Sequence, residues 1–244
     1  MITQVTFTGV DERTDVQRLA EIQSKYPFAE FGVLVASSRQ GKENRYPDLS
    51  ILEKLAPLGL KLSCHVCGKL ARDIVMAAGS GKRTGFTSFD DLYAYLNGHL
   101  EMFHRIQLNI SGMKEMPATL LLRTTPFIDE VIFQQVPGAP KFPAKVDCES
   151  QVSILYDGSG GEGKETEFVV KRTLTRTGYA GGLNADNIVE RTAGLLGKRF
   201  LCNNRHWVDM ESGVRTDDWF DLDKVEEVLR RIRPYVSSWS EENI

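Results

Sequence analysis

Apolar, β-branched segments alternate with helical patterns along all 244 residues of the chain. Eight segments read as strands: ITQVTFTG (2–9), FGVLVAS (31–37), LKLSCHV (60–66), RIQLNIS (105–111), EVIFQQV (130–136), QVSILYD (151–157), TGYAG (177–181) and HWVDM (206–210). Between them lie periodic stretches. In DVQRLAEIQSKY (15–26), Leu19, Ile22 and Tyr26 share one helical face, and in DLDKVEEVLRRIRPYV (221–236) the stripe is Val225, Val228, Leu229, Ile232 and Val236. Strands that are apolar almost throughout belong to a parallel sheet covered by helices. Eight strand–helix units predict an α/β fold, a closed (β/α)8 TIM barrel forming a single domain over residues 1–244, in preference to an open doubly wound sheet. The length agrees, since such barrels typically take ~250 residues.

Composition narrows the partners more than the fold. The chain is 41% hydrophobic and 26% charged, with a net charge of −3, the balance of an ordinary globular protein. Its sequence pI of about 5.9 offers no general attraction for nucleic acid or for an anionic membrane. The longest apolar runs fall short of the ~20 residues a spanning helix needs, and Met-Ile-Thr-Gln leads directly into a strand, so a cytoplasmic location is expected. Cys64, Cys67, Cys148 and Cys202 are scattered, as reduced thiols are, and no disulfide framework is expected. CHVC (64–67) has CxxC spacing, but it ends an apolar strand without a second pair, which favours ordinary strand residues over zinc or redox chemistry. No metal or cofactor is expected.

In a barrel of this kind the active site gathers where strands end and βα loops begin. Two strand–glycine corners near the end of the chain, YAGGLNADNIVE (179–190) and VDMESGV (208–214), lie one strand–helix unit apart. They predict a phosphate-binding site at Gly181, Gly182, Ser212 and Gly213, backed by helix N-termini. The partner expected is therefore a phosphorylated small molecule. MAAGSGKRTG (76–85) superficially suggests a nucleotide-binding loop. Arg83 takes its Ser/Thr position, the glycine spacing is wrong and the segment follows a helix, so it is rejected.

Asp157 closes an apolar strand ahead of the glycine-dense GSGGEGKE (158–165). A carboxyl at such a rim suits a general acid, although an Asp-Gly pair also marks a turn that the Asp side chain caps. Arg45, in SSRQGKENRYP (37–47) with Arg39 and Lys42, could hold a substrate carboxylate bidentately or belong to a solvated basic loop. Asp209, beside the phosphate corner, is read as structural. His65, Cys67 and Glu162 are the remaining titratable groups near strand ends.

These motifs together resemble the phosphoribosylanthranilate isomerase family, (β/α)8 enzymes of tryptophan biosynthesis. AGGLNADNIVE (180–190) resembles its seventh-strand signature, and VDMESGVRTDDWFDLDKVEEVL (208–229) its last strand, phosphate loop and following helix. ILYDGSGGEGK (154–164) resembles the LLDS…GGTG segment, NRYP (44–47) the SxRYV loop, and IQL (106–108) the QLHG strand, with Asn109 in place of its histidine. The resemblance implies an Amadori rearrangement in which an acid opens a ribose ring and a base takes the C2 proton. It places Asp157 as the acid and Arg45 against the anthranilate carboxylate. The family's first strand ends in KxCG, whose cysteine is the base; here it ends in TFTG (6–9), with Thr8 at that position. A hydroxyl is a weak base without an activating neighbour. Three readings follow: an isomerase of this family whose base comes from Glu162, His65 or Cys67; a divergent phosphate-binding barrel with lyase or aldolase chemistry; or a non-catalytic sugar-phosphate binder, which would need neither Asp157 nor Arg45.

Overall fold

A computed structural model describes residues 2–81, 88–160, 163–164, 166, 176–196 and 206–236. Eight parallel strands close into a barrel. They are β1 (Ile2–Thr8), β2 (Ala29–Val35), β3 (Leu62–Cys67), β4 (Arg105–Asn109), β5 (Glu130–Gln135), β6 (Gln151–Asp157), β7 (Thr177–Ala180) and β8 (His206–Met210). All eight lie on the predicted segments, two with the predicted bounds and six with ends shifted by one or two residues. Closure comes from β8 pairing in parallel with β1, Val5 opposite Val208 and Thr6 opposite Asp209.

Helices cover the barrel where the periodicity predicted them. The first, α1 (Val16–Lys25), begins at Asp15, whose carboxylate accepts from the amides of Gln17 and Arg18 and so satisfies two of the N–H groups a helix start leaves open. Next come α2 (Ile51–Leu55), α3 (Gly68–Ser80) and α4 (Asp90–Tyr95), followed near the C-terminal end by α5 (Ile188–Leu196) and α6 (Leu222–Ile232). Asp221 caps α6 through the amides of Asp223 and Lys224. Four residues of the predicted stripe, Val225, Val228, Leu229 and Ile232, are buried on α6; the fifth, Val236, lies past the helix end, half-buried and bridged to Ile2. Of the rejected nucleotide-loop segment 76–85, residues 76–80 lie inside α3, which ends on Gly81 in the left-handed region, and residues 82–85 lie outside the described residues. Among the described residues no helix is long and apolar enough to cross a membrane.

Among the described residues the expected strand–helix alternation fails at two connections. Between β4 and β5, and again between β5 and β6, the chain forms short strands, Thr119–Leu122 and Lys145–Cys148, which pair with each other in parallel. The alternation in TLLL explains the choice: Leu120 and Leu122 are buried while Leu121 is 39% exposed, a period-two face that a helix could not keep.

The barrel interior is polar to an unusual depth, and alternation along the strands determines it. Glu30, Arg105, Glu130 and Arg176 meet near the N-terminal ends of the strands. Arg105 Nε lies 2.5 Å from Glu130 and its Nη1 2.8 Å from Glu30, while Arg176 Nη1 lies 2.5 Å from Glu130. Thr6 and Gln4 donate to Glu30, and Ser153 donates to Glu130. Burial pushes the Glu130 carboxyl up, but Arg105 and Arg176 outweigh it and hold it below its ordinary value. The indole of Trp207 lies under both guanidiniums, 4.5 Å from Arg105 and 5.1 Å from Arg176. Gly178 makes room for that ring, because any Cβ there would enter it.

An Arg105→Met substitution leaves Glu30 and Glu130 with one cation between them. It should cost about 3–5 kcal/mol, as breaking a buried pair does, read as a lowered unfolding free energy in urea; a loss within 1 kcal/mol would show that the cluster carries little of the barrel.

Candidate active site

The C-terminal ends of the strands open onto a cavity of about 250 Å³. Its floor is formed by the next inward-facing layer above the ion cluster: Thr8, His65, Gln107, Gln134, Asp157 and Asp209. Thr8 Oγ1 donates to Asp209 Oδ1 at 2.7 Å and lies 3.4 Å from His65 Nδ1. Gly32, opposite Thr8 on β2, leaves space for both, since a Cβ would stand 2.8 Å from Thr8 Oγ1 and 2.9 Å from His65 Nε2.

His65 is held neutral. Burial, with the nearby Arg105 charge, lowers its pKa to about 3. Gln107 Nε2 lies 3.1 Å from its Nδ1 and Ser63 Oγ 2.9 Å from its Nε2. Gln107 also donates to Asn109 Oδ1, and Asn109 Nδ2 donates to Cys67 Sγ at 3.2 Å. An Nδ1 lone pair that accepts from Gln107 and an Nε2–H that donates to Ser63 satisfy this chain of bonds together. A ring so weakly basic is a poor proton acceptor. Cys67 also remains protonated at neutral pH, because burial raises its thiol to about 11. Cys64 and Cys67 are three residues apart on β3 and point to opposite sides of it, Cys64 into the core outside the barrel and Cys67 into the mouth. They cannot converge on one metal ion. Glu162 and Cys202 lie outside the described residues.

Asp157 lies where its sequence position put it, 4% exposed on the cavity floor. Gln134 Nε2 donates to its Oδ2 at 2.9 Å; the Ser159 amide and hydroxyl donate to its Oδ1 at 3.0 and 2.7 Å. The turn-capping alternative is thus realised alongside the cavity position. Gln134 Oε1 is buried without a partner, an acceptor left beside Asp157 in the cavity.

The glycine corners meet on one side of the mouth. Gly160, Gly163, Gly181, Gly182, Ser212 and Gly213 all line it. Gly181 and Gly182 have φ of +127° and +63°, a region that favours glycine. The corners are packed backbone to backbone, for a Cβ on Gly213 would collide with the Leu183 carbonyl and one on Gly163 with Ser212 Oγ. Asn187 ties the β7 corner, donating to the Gly182 carbonyl at 2.8 Å and accepting from the Asn184 amide at 2.9 Å. The helical element at the β8 corner is a short 3-10 turn, Ser212–Val214, and α6 begins only after the hairpin Arg215–Thr216/Trp219–Phe220. Asp217 and Asp218 form its tip with positive φ at both, the geometry of a tight hairpin turn.

Arg45 and Arg39 exchange the places the sequence suggested. Arg45 bonds Glu211 and Asp218, each at 2.8 Å, and is not among the residues lining the cavity. Arg39 does line it, forked onto exposed Glu43 and bonded to Tyr46 Oη at 2.8 Å. The sequence order alone could not distinguish them, because both follow β2 in one basic loop.

Asp209, read from the sequence as structural, accepts from Thr8 as that reading expects and also lines the cavity. It is 5% exposed, and burial raises its pKa to about 7, with Glu211, Glu30 and Asp157 adding to the rise and the Thr8 bond opposing it. Its place at the end of β8, pointing inward in register with Thr6, was the available signal.

A parallel eight-stranded barrel with a carboxylate-floored mouth and paired glycine corners defines a small-molecule barrel enzyme of the sugar-phosphate kind. Residues 104–231, from just before β4 to the end of α6 but for one residue, match the family described as N-(5'phosphoribosyl)anthranilate (PRA) isomerase. The chain belongs to that family. Among solved structures, N-(5'-phosphoribosyl)anthranilate isomerase from Pyrococcus furiosus aligns at 16% identity and a TM-score of 0.51, over 95% of this chain and 99% of that one. Phosphoribosyl anthranilate isomerase from Thermococcus kodakaraensis aligns at 14% identity and a TM-score of 0.49, over the same shares. A search of curated proteins gives no significant match.

A carboxyl with its pKa raised from 3.8 to about 7 favours the folded state below pH 4, and that contribution is lost as pH rises through 7. Asp209→Asn removes the ionisation. Its unfolding free energy should gain on that of the unsubstituted protein between pH 4 and 7 and level off above. A difference that stays flat across that range would contradict the placement of the buried charge.

Proposed function

We propose that this chain is a single-domain cytoplasmic isomerase that converts phosphoribosylanthranilate to its ketose by an Amadori rearrangement, the tryptophan-biosynthetic step of its family. The observation that carries the reading is the joint placement of Asp157 and the glycine corners in one cavity. The corners, Gly181–Gly182 and Ser212–Gly213, present backbone close enough for N–H groups to take the substrate phosphate. Phosphate held there directs the ribose across the floor, over Asp157 and Thr8.

Asp157 is the acid in this reading. Its proton passes to the ribose ring oxygen as the C1–O bond breaks and the anthranilate nitrogen forms a double bond to C1. Gln134 orients the carboxyl through Oδ2, and its unpartnered Oε1 is placed to accept from a substrate hydroxyl or amine. The far end of the substrate carries a carboxylate. Arg39, in the mouth with Tyr46 Oη on its Nη1 and exposed Glu43 as its carboxylate partner among the described residues, can exchange that carboxylate for the substrate's, while Arg45 holds half-buried Glu211 in place. The resemblance put Arg45 on the carboxylate; the geometry favours Arg39. Thr8 is kept in the catalytic layer, as a group that touches the reacting sugar and holds its neighbour.

Loss of anthranilate-type fluorescence follows turnover. Asp157→Asn should lower kcat by about 10²–10⁴-fold, the range for removing a general acid, while inorganic phosphate binding stays as in the parent. Gly213→Ala should do the reverse to binding, weakening phosphate at least tenfold. Unchanged kcat in Asp157→Asn would remove Asp157 from the mechanism.

A further inference from the structure

We propose, on the isomerase reading, that Asp209 is the general base that takes the C2 proton, with the Thr8 hydroxyl as the positioning group that holds its carboxylate. Thr8 occupies the place where the family resemblance calls for a thiol, and a hydroxyl there cannot take the proton unaided. The other titratable groups on the cavity surface are committed. His65 is a neutral, weakly basic ring already accepting from Gln107, and Cys67 is a protonated thiol. Glu211 is paired with Arg45 at 2.8 Å, and both Asp157 oxygens accept from Gln134 or Ser159. Asp209 differs from all of them. Among the described residues its bond is the one from Thr8 Oγ1 at 2.7 Å, with His65 Nδ1 next at 3.9 Å.

The groups facing this carboxylate from neighbouring strands are Glu30, Glu211 and Asp157, which repel its charge, and Arg105 below, which attracts it. Burial and the three anions make Asp209 more basic than an ordinary aspartate. A base whose pKa lies near the working pH is the effective one. In the step, Asp157 has already protonated the ring oxygen and left a C1=N iminium. Asp209 then accepts the C2 proton. The C2–H electron pair forms C1=C2, and the C=N π pair returns to nitrogen. The resulting enaminol takes a proton at C1 while its C2 hydroxyl gives one up, so that C1=C2 is lost as C2=O forms, and it becomes the ketose. The product is an isomer of the substrate, and no oxidant or co-reactant enters.

Phosphoribosylanthranilate turnover against pH in four proteins tests this: the parent, Asp209→Asn, Thr8→Val, and Asp209→Asn combined with Thr8→Cys. In the parent, kcat/KM should rise with pH through about 7. Asp209→Asn should lose about 100-fold or more while keeping its circular dichroism and its affinity for inorganic phosphate. Thr8→Val removes the bond that opposes the raised pKa, so its rising limb should move to higher pH with a smaller loss of rate. The double variant supplies a thiol where the hydroxyl stood. It should recover at least tenfold over Asp209→Asn, with the limb moved into the thiol range, a rescue that a merely structural Asp209 would not permit. Turnover in Asp209→Asn within threefold of the parent overturns the assignment and leaves the isomerase standing. So does a parent rate that falls through pH 7 and loses that fall in Asp209→Asn, which would make the residue an acid. No turnover by the parent overturns the isomerase reading and this assignment with it.

Discussion

Ionisable groups packed inside a closed barrel are the constraint on which the rest of this structure depends. Arg105 and Arg176 can leave water only because Glu30 and Glu130 lie within 2.8 Å of them and Trp207 lies beneath both. That arrangement requires Gly178 opposite Trp207, and it orients Thr6 and Ser153 toward the two glutamates. It also sets the alternation of every inward-facing residue above it, so the next inward layer, with Thr8, His65, Gln107, Gln134, Asp157 and Asp209, arrives at the mouth by register. The cavity floor is thus the upper face of a polar core, and the field of that core reaches it: Arg105 helps keep His65 uncharged.

The mouth is held by a second set of ties. Arg215 bonds the Gly9 carbonyl at 2.8 Å and Asp11 at 3.1 Å, and Asp11 accepts from the Phe220 amide. These bonds lock the loop after β1 to the hairpin after β8, the two loops that flank the site of closure. Glu211, Arg45 and Asp218 continue the same network around the rim. Beside it, a Cβ on Gly181 or on Gly213 would collide with a neighbouring atom. A rigid mouth of this kind can hold a phosphate in one place while the sugar is opened.

Much of this was legible in the chain. HWVDM is buried throughout, QVSILYD alternates buried with half-buried positions, and both carry enough apolar residues to read as strands; Asp157 was found because it ends one of them before glycines. The α6 stripe was equally plain. TLLL and KVDC were not, because four residues carry too little periodicity to compete with an expected helix. Arg45 was ranked ahead of Arg39 on the resemblance; the partners that hold it off the cavity, Glu211 and Asp218, lie 166 and 173 positions away, whereas the Arg39–Glu43 pair is local. Asp209 was read as structural, an acceptor for a neighbouring side chain, and its bond from Thr8 agrees. Next to a phosphate corner a carboxylate reads as a poor ligand, and its distance from Thr8, 201 positions away in sequence, appears only once the barrel closes.

What emerges is a member of a thiol-based family in which the first-strand position carries a hydroxyl and a buried carboxylate stands behind it. The family match begins after that strand, so the chemistry of this chain has to be decided on its own residues. The most direct measurement is mass spectrometry of phosphoribosylanthranilate incubated with the purified protein in heavy water. Proton removal at C2 and protonation at C1 predict a ketose product carrying one solvent deuterium at C1. Recovery of only unreacted or hydrolysed substrate, with anthranilate released at the rate seen without protein, would contradict the account.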